Sequence, residues 1–278
     1  MLHLVTDSTS DLTAADAAAL GVTVVPLTVR FGDEQFRDGV DMDAPTFYSR
    51  LASSKVSPTT SQPSPEQFGT VYRELLRSDA DTVVSVHIGS KLSGTCQSAH
   101  LAAQEFPAGR VHVVDSEQVS SGIQFLVKLA AQGRDRGDDV ATIVRNLEAA
   151  RDRVTVYVLL DTITYLQRGG RIGRAQAFIG GVLNVKPLLK IERGEVHPVA
   201  RVRSRQQGLA KMVELVRGDG PLQAVAMMHS TDPGPAEELR SRLTQLLPEL
   251  DIPLGQLGPV VGTYSGPGIV GVAVLRAG

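Results

Sequence analysis

Among the residues able to do chemistry, Ser93, His87 and Asp7 can be assembled into a hydrolytic triad, and Cys96 offers a second nucleophile near the start of a helix. Such a serine needs a base in hydrogen-bond reach and donors aimed at a developing oxyanion. The chain carries no Gly-x-Ser-x-Gly elbow and no Gly-x-x-x-x-Gly-Lys-[Ser/Thr] phosphate loop. His87 reads as readily as a polar strand end, and Cys96 as a small packed residue. No catalytic residue is assigned. An enzyme acting on a small or lipid anion through Ser93 or His87, as hydrolase or phosphotransferase, stays as the second reading.

Leu92-Ser-Gly-Thr-Cys-Gln97 is better suited to binding. With Ser93 as N-cap, the amides of Gly94, Thr95 and Cys96 lie free at a helix N-terminus, where the dipole favours an anion and glycine lets it approach the backbone. Simple capping accounts for the same residues, and both readings stand. In Thr59-Thr-Ser-Gln-Pro-Ser-Pro-Glu-Gln67, Ser64, Pro65 and Gln67 predict a capping box and a helix start. Thr60 and Ser61 are left over, held extended by Gln62-Pro63, with hydroxyls to offer a ligand.

Arg168-Gly-Gly-Arg-Ile-Gly173 predicts a bent loop, continued by a helix-like apolar segment over residues 174–183. Arg168, Arg171, Arg174, Arg201, Arg203 and Arg205 are either solvated surface or, taken as a set, an anion or partner site. Gly266-Pro-Gly-Ile-Val-Gly271 matches a dinucleotide fingerprint but precedes a strand-like Val272-Ala-Val-Leu275 and leaves no room for the ribose-binding acid. It is read as a decoy.

The elements that must position these residues alternate in the first half: strands at 2–6, 82–86 and 111–114, helices at 13–20, 94–106 and 119–133. Alternation predicts a mostly parallel sheet with ligands outside the carboxyl ends of its strands, where Asp7-Ser-Thr-Ser-Asp11, residues 87–95 and Asp115-Ser116 cluster. After a helix at 138–150 the pattern changes to strands at 154–160, 185–191, 196–202, 222–229, 257–262 and 269–275, with a hairpin turn at Glu192-Arg-Gly-Glu195. The fold class expected is α/β. A parallel-sheet domain spans 1–153, a more antiparallel α/β domain spans 154–278, and the ligand lies between them. Residues 33–43 and 161–174 are the irregular places.

Composition sets the outer limits. The 278 residues are 42% hydrophobic and 21% charged, globular proportions for two domains. No run approaches the roughly 18 apolar residues of a membrane span, and the first residues turn polar too soon for a signal peptide, so a cytoplasmic protein is expected. One cysteine excludes internal disulfides, and six histidines lack zinc spacing, so no metal is expected. Net charge −2 gives no general attraction to nucleic acid, although residues 151–205 hold eleven Lys/Arg against four Asp/Glu. A nucleic-acid-binding regulator rests on that stretch alone, without a reading motif.

Thr6-Asp-Ser-Thr-Ser-Asp-Leu12, Thr60-Ser-Gln-Pro-Ser64, Leu92-Ser-Gly-Thr95, Val114-Asp-Ser116, Arg168-Gly-Gly-Arg-Ile172 and Gly262-Thr-Tyr-Ser-Gly-Pro-Gly268 together resemble, in this order, the DegV family of bacterial fatty-acid-binding proteins. The resemblance implies a long-chain fatty acid between two domains, its carboxylate on hydroxyls that map to Thr60 and Ser93. Ser61, Gly94, Arg171 and Tyr264 complete the expected binding set, and Arg168 and Arg203 the expected partner surface. It also implies delivery of the fatty acid to a separate ATP-dependent fatty acid kinase and carriage of the acyl phosphate. A monomer without cofactor or catalysis of its own follows. Burying an acyl tail gains roughly 0.8 kcal/mol per methylene, which leaves room for tight binding after ordering costs. One departure stands out: many kinase-coupled relatives have histidine where this chain has Tyr264, and a tyrosine cannot place a positive charge beside an acyl phosphate.

Overall fold

The computed structural model describes residues 1–178 and 185–278. In chain order the elements are β1 (Leu2–Asp7), α1 (Ala14–Leu20), β2 (Val22–Val25), β3 (Thr28–Phe31), β4 (Glu34–Arg37), α2 (Ala44–Ser53), β5 (Thr59–Ser61), α3 (Pro65–Leu75), β6 (Thr82–His87), α4 (Thr95–Ala103), β7 (Val111–Asp115), α5 (Ser121–Arg136) and α6 (Val140–Arg151). There follow β8 (Val154–Leu159), α7 (Thr164–Arg168), β9 (Lys186–Glu192), β10 (Glu195–Val202), α8 (Arg205–Gly218), β11 (Leu222–His229), α9 (Gly234–Leu246), β12 (Leu254–Gln256), α10 (Pro259–Ser265) and β13 (Val270–Arg276).

Three sheets result. The first, in order β2-β1-β6-β7, is parallel throughout, as the alternation of strands and helices predicts. The second, β10-β9-β8-β13-β11-β12, is antiparallel except for its β11–β12 edge. The expected hairpin joins β9 to β10: Arg193 (φ 51°) and Gly194 (φ 73°) form its two-residue turn, with Glu192 opposite Glu195. The third, antiparallel β4-β3-β5, was not anticipated.

Helix α5 packs against strands of both large sheets, and its Ile123, Phe125, Leu126 and Val127 are buried in one cluster with residues of each. A helix apolar on opposite faces belongs between two layers. No described helix is long and apolar enough to cross a membrane.

Local chemistry sets several helix starts. Ser64 and Gln67 form the expected capping box of α3, and Thr13 caps α1 by accepting from the Asp16 amide. Four expectations are corrected. Residues 257–262 are not a strand: Gly258 and Pro259 open α10 there, proline sitting in the first turn, where its missing N–H costs nothing. The irregular stretch 33–43 contains β4, and 161–174 contains α7. Ser93 is not the N-cap of α4; Gly94 is, and Ser93 Oγ instead accepts from the Thr95 amide at 3.3 Å. The helix-like segment expected over 174–183 begins within a 3₁₀ turn, Gly173–Phe178; its remainder lies outside the described residues.

Candidate functional site

The carboxyl ends of β1, β6 and β7 converge as the parallel sheet requires. Asp7 Oδ2 accepts from the Ile88 amide at 3.0 Å and faces His87 Nδ1 at 2.9 Å. His87 Nε2 lies 2.6 Å from Ser85 Oγ, which accepts from Tyr72 OH at 2.9 Å. Asp7, Ser85, His87 and Tyr72 are all fully buried, so this row of hydrogen bonds is closed off from solvent. Its serine is also the wrong one for the triad considered above: Ser93 Oγ pairs with Thr95 Oγ1 at 2.9 Å. Nor does Cys96 have the lowered pKa of a nucleophile. Burial, with the charges of Asp115 and Asp7, pushes its thiol up to about 12.

Beside these strand ends lies a cavity of 420 Å³, lined from both halves of the chain. One wall is the inner face of the second sheet, where Val156 and Val158 of β8, Leu189 and Ile191 of β9, Val196 of β10 and Met228 of β11 line the cavity. The two-residue spacing within β8 and β9 is that of one sheet face. Opposite sit Thr60 and Ser61 of β5, Ser93, Arg171 and Tyr264. Thr60 Oγ1 lies 2.6 Å from Tyr264 OH, and the Arg171 guanidinium stands 4.9 Å over the Tyr264 ring. Arg171 is held by Nε donating to Leu92 O at 3.2 Å and NH1 to Gly169 O at 2.8 Å. Hydroxyls and a guanidinium are thus gathered in one place against apolar walls, the division an amphiphile needs.

The other residues singled out in the sequence are placed apart. Gly94 does not line the cavity; the space a side chain would occupy there holds the Gln62 amide, which donates to Ser98 Oγ at 3.1 Å. Arg168 donates to Ser57 Oγ at 2.8 Å outside the cavity lining, and Arg203, exposed just ahead of α8, lines a separate surface groove. The six arginines are not one cluster. Arg174 pairs with Glu195 at 2.8 Å and Arg205 with Asp161 at 2.7 Å, while Arg201 donates to Ala177 O at 2.9 Å.

Thr9, Gln62, Ser120 and Ser265 line the cavity and were not singled out. Thr9 had a signal, because it sits in the loop after β1 where the crevice was expected. Ser120 had none: its backbone, at φ 52° and ψ −129°, reveals its special place only in three dimensions. No group of three or more potential metal-ligating side chains occurs among the described residues.

Fold and cavity define an α/β protein with two large sheets, a small third one and an apolar pocket that also carries hydroxyls. A family model described as an uncharacterised protein of the DegV family matches residues 1–277. The chain belongs to the DegV family. It is 42% identical over 276 residues, 98% of each chain, to a DegV domain-containing protein of Deinococcus radiodurans. Among solved structures it is similar to a DegV family protein from Thermus thermophilus described by its fatty acid binding, with 38% identity, TM-score 0.92 and 99% of each chain covered. It is likewise similar to DegV of Bacillus subtilis, described as a fatty acid binding protein, with 30% identity, TM-score 0.91 and 99% of each chain covered.

Proposed function

We propose that this protein binds one long-chain fatty acid, its tail against the inner face of the second sheet and its carboxylate at Thr60, Ser61, Ser93, Arg171 and Tyr264, with the Gly94 amide nearby. The observation that carries this reading is the 420 Å³ apolar cavity adjoining the Thr60–Tyr264–Arg171 group. The descriptions of the Thermus thermophilus and Bacillus subtilis relatives support it. The site serves a monomer that folds as domains 1–153 and 154–278, works in the cytoplasm without cofactor, and carries its ligand without transforming it. Presentation of the carboxylate to a separate fatty acid kinase, with Arg168 and Arg203 on the docking surface, is the finer part of this reading.

The test is to denature purified protein, extract it with organic solvent and record a mass spectrum. About one fatty acid per chain is expected. No lipid after mild purification, and no uptake of added palmitate or oleate, would sink the reading. Mixing loaded protein with a fatty acid kinase and ATP, and assaying acyl phosphate, tests the finer part separately.

A further inference from the structure

Behind the cavity, Asp11 and Asp38 meet at the start of α10. Asp11 ends the 3₁₀ turn Ser8–Ser10 with φ 53°, and its Oδ1 accepts from the Gly258 amide at 2.9 Å. Asp38 follows β4, its amide donating to Leu27 O at 2.9 Å. A Cβ built on Gly258 would lie 2.8 Å from Asp11 Oδ1 and 3.3 Å from Asp38 Oδ1, so both carboxyls crowd one point. Asp38 is 4% exposed, and the Oδ2 of each residue is buried without a hydrogen-bond partner.

The charges around the pair do not neutralise it. Asp7 of β1 adds a further carboxyl, and Tyr48 of α2 contributes a buried hydroxyl that also has no partner. His87 faces Asp7. Lys128 of α5, with Asp16 and Asp43, lines the adjoining cleft, and among the described residues no Lys, Arg or His forms an ion pair with Asp11 or Asp38. Carboxyls gathered at one point without a cationic partner are costly to ionise, and protonation removes that cost.

The position of the pair matters because the elements it joins all carry cavity residues: Thr9 on the 3₁₀ turn, Thr60 and Ser61 on the small sheet that ends near Asp38, and Val260, Val261, Tyr264 and Ser265 on α10. We propose that Asp11 and Asp38 are both held protonated in the folded protein and act as positioning residues that fasten α10, and with it Tyr264, to the cavity, so that the grip on ligand loosens when the pair ionises. The protonated pair rests on the crowding at Gly258 and on the lack of an ion-pair partner among the described residues; its effect on ligand rests on the fatty-acid reading above.

Burial, the largest cause in each case, raises Asp11 to about 8 and Asp38 to about 7, opposed by bonds from Ser120 and Gly258 to the first and from Ser8 and Val260 to the second. An unfolded aspartate releases its proton near about 4. Between that pH and about 8 the native state therefore holds more protons than the unfolded state, and stability falls as pH rises through this window.

Carboxyl carbon NMR on the wild-type protein, titrated from pH 3 to 9, reads the pair directly. Midpoints near 7 and 8 are expected for the two residues; two midpoints below about 5, the ordinary carboxylate range, would overturn the proposal. Hydrogen exchange of α10 amides in lipid-free protein gives the mechanical readout. Between pH 6 and 9, opening should rise at least about tenfold beyond the intrinsic chemical rate in wild type and stay flat in the double variant Asp11→Asn/Asp38→Asn, which has no carboxyl proton to lose at either position. An equal rise in wild type and the double variant would also overturn it. Palmitate dissociation, followed over the same pH range, separates the two readings: a pair that titrates as expected in a protein that never takes up palmitate leaves the protonated pair standing and removes the fatty-acid reading. Normal palmitate uptake with ordinary carboxyl midpoints does the reverse.

Discussion

At the scale of single residues, the pairing of Thr60 with Tyr264 governs what the polar end of the cavity can donate. Two hydroxyls 2.6 Å apart share one O–H bond, so one proton lies between them and one remains for a ligand oxygen. Removing either partner frees the other, and the two residues should not act independently. Ser93→Ala is expected to weaken palmitate binding roughly tenfold, since a hydrogen bond to a charged group contributes about 1.5–3 kcal/mol, whereas Thr60→Val alone should cost less, because the freed Tyr264 hydroxyl can still donate. In a double-mutant cycle of Thr60→Val with Tyr264→Phe, measured by calorimetric titration, the losses should be strongly non-additive. Additive losses would show the hydroxyls bind separately, and unchanged affinity in the double variant with a normal melting temperature would place the carboxylate elsewhere. The types of these residues were visible in the sequence, while their mutual contact, across more than 200 positions of chain, was not.

At the scale of elements, what was legible followed local rules. The capping box of α3 and the Arg193-Gly194 turn are written within a few residues and form as expected. Helix α10 is harder to read: residues 257–262 resemble an apolar run suited to a buried strand, whereas Pro259 in the first turn and packing against α7, α2 and the small sheet settle Pro259–Ser265 as helix. The small sheet itself escaped notice because its strands are three or four residues long and half exposed. The glycines of the false dinucleotide motif also acquire a structural meaning here. Gly266 ends α10 at φ 75°, and a side chain on it would overlap the Tyr165 ring of α7. Gly266→Ala should therefore destabilise by about 1–3 kcal/mol, the cost of a strained backbone with an added clash, read as a lower urea midpoint at unchanged slope. A midpoint equal to wild type would mean that the α10–α7 junction yields freely, and that the motif has some other reason to keep this glycine.

At the scale of the whole molecule, α5 makes the two large sheets parts of one packed body, although each draws its strands from one half of the sequence. The change of pattern at Val154, where β8 begins, is what the sequence displays, since strand periodicity is local. The shared core across that point is not displayed, because a helix buried on two sides has the same composition as one buried deeply on one side. Leu126, fully buried in this core, tests the coupling. Leu126→Ala should cost about 2–5 kcal/mol through lost contacts and a residual cavity. Because both sheets lose the same contacts, unfolding should remain a single transition. On the proposed reading, fatty acid binds in a cavity lined from both halves, so ligand and mutation should act on that same transition. At a hundredfold excess over Kd, palmitate should add about 2.7 kcal/mol, raising the melting temperature by roughly 5–10 °C in wild type and restoring part of the loss in Leu126→Ala. Scanning calorimetry with and without palmitate measures this. Two resolved transitions, only one of them moved by ligand, would show that the halves unfold independently and that the cavity belongs to one of them.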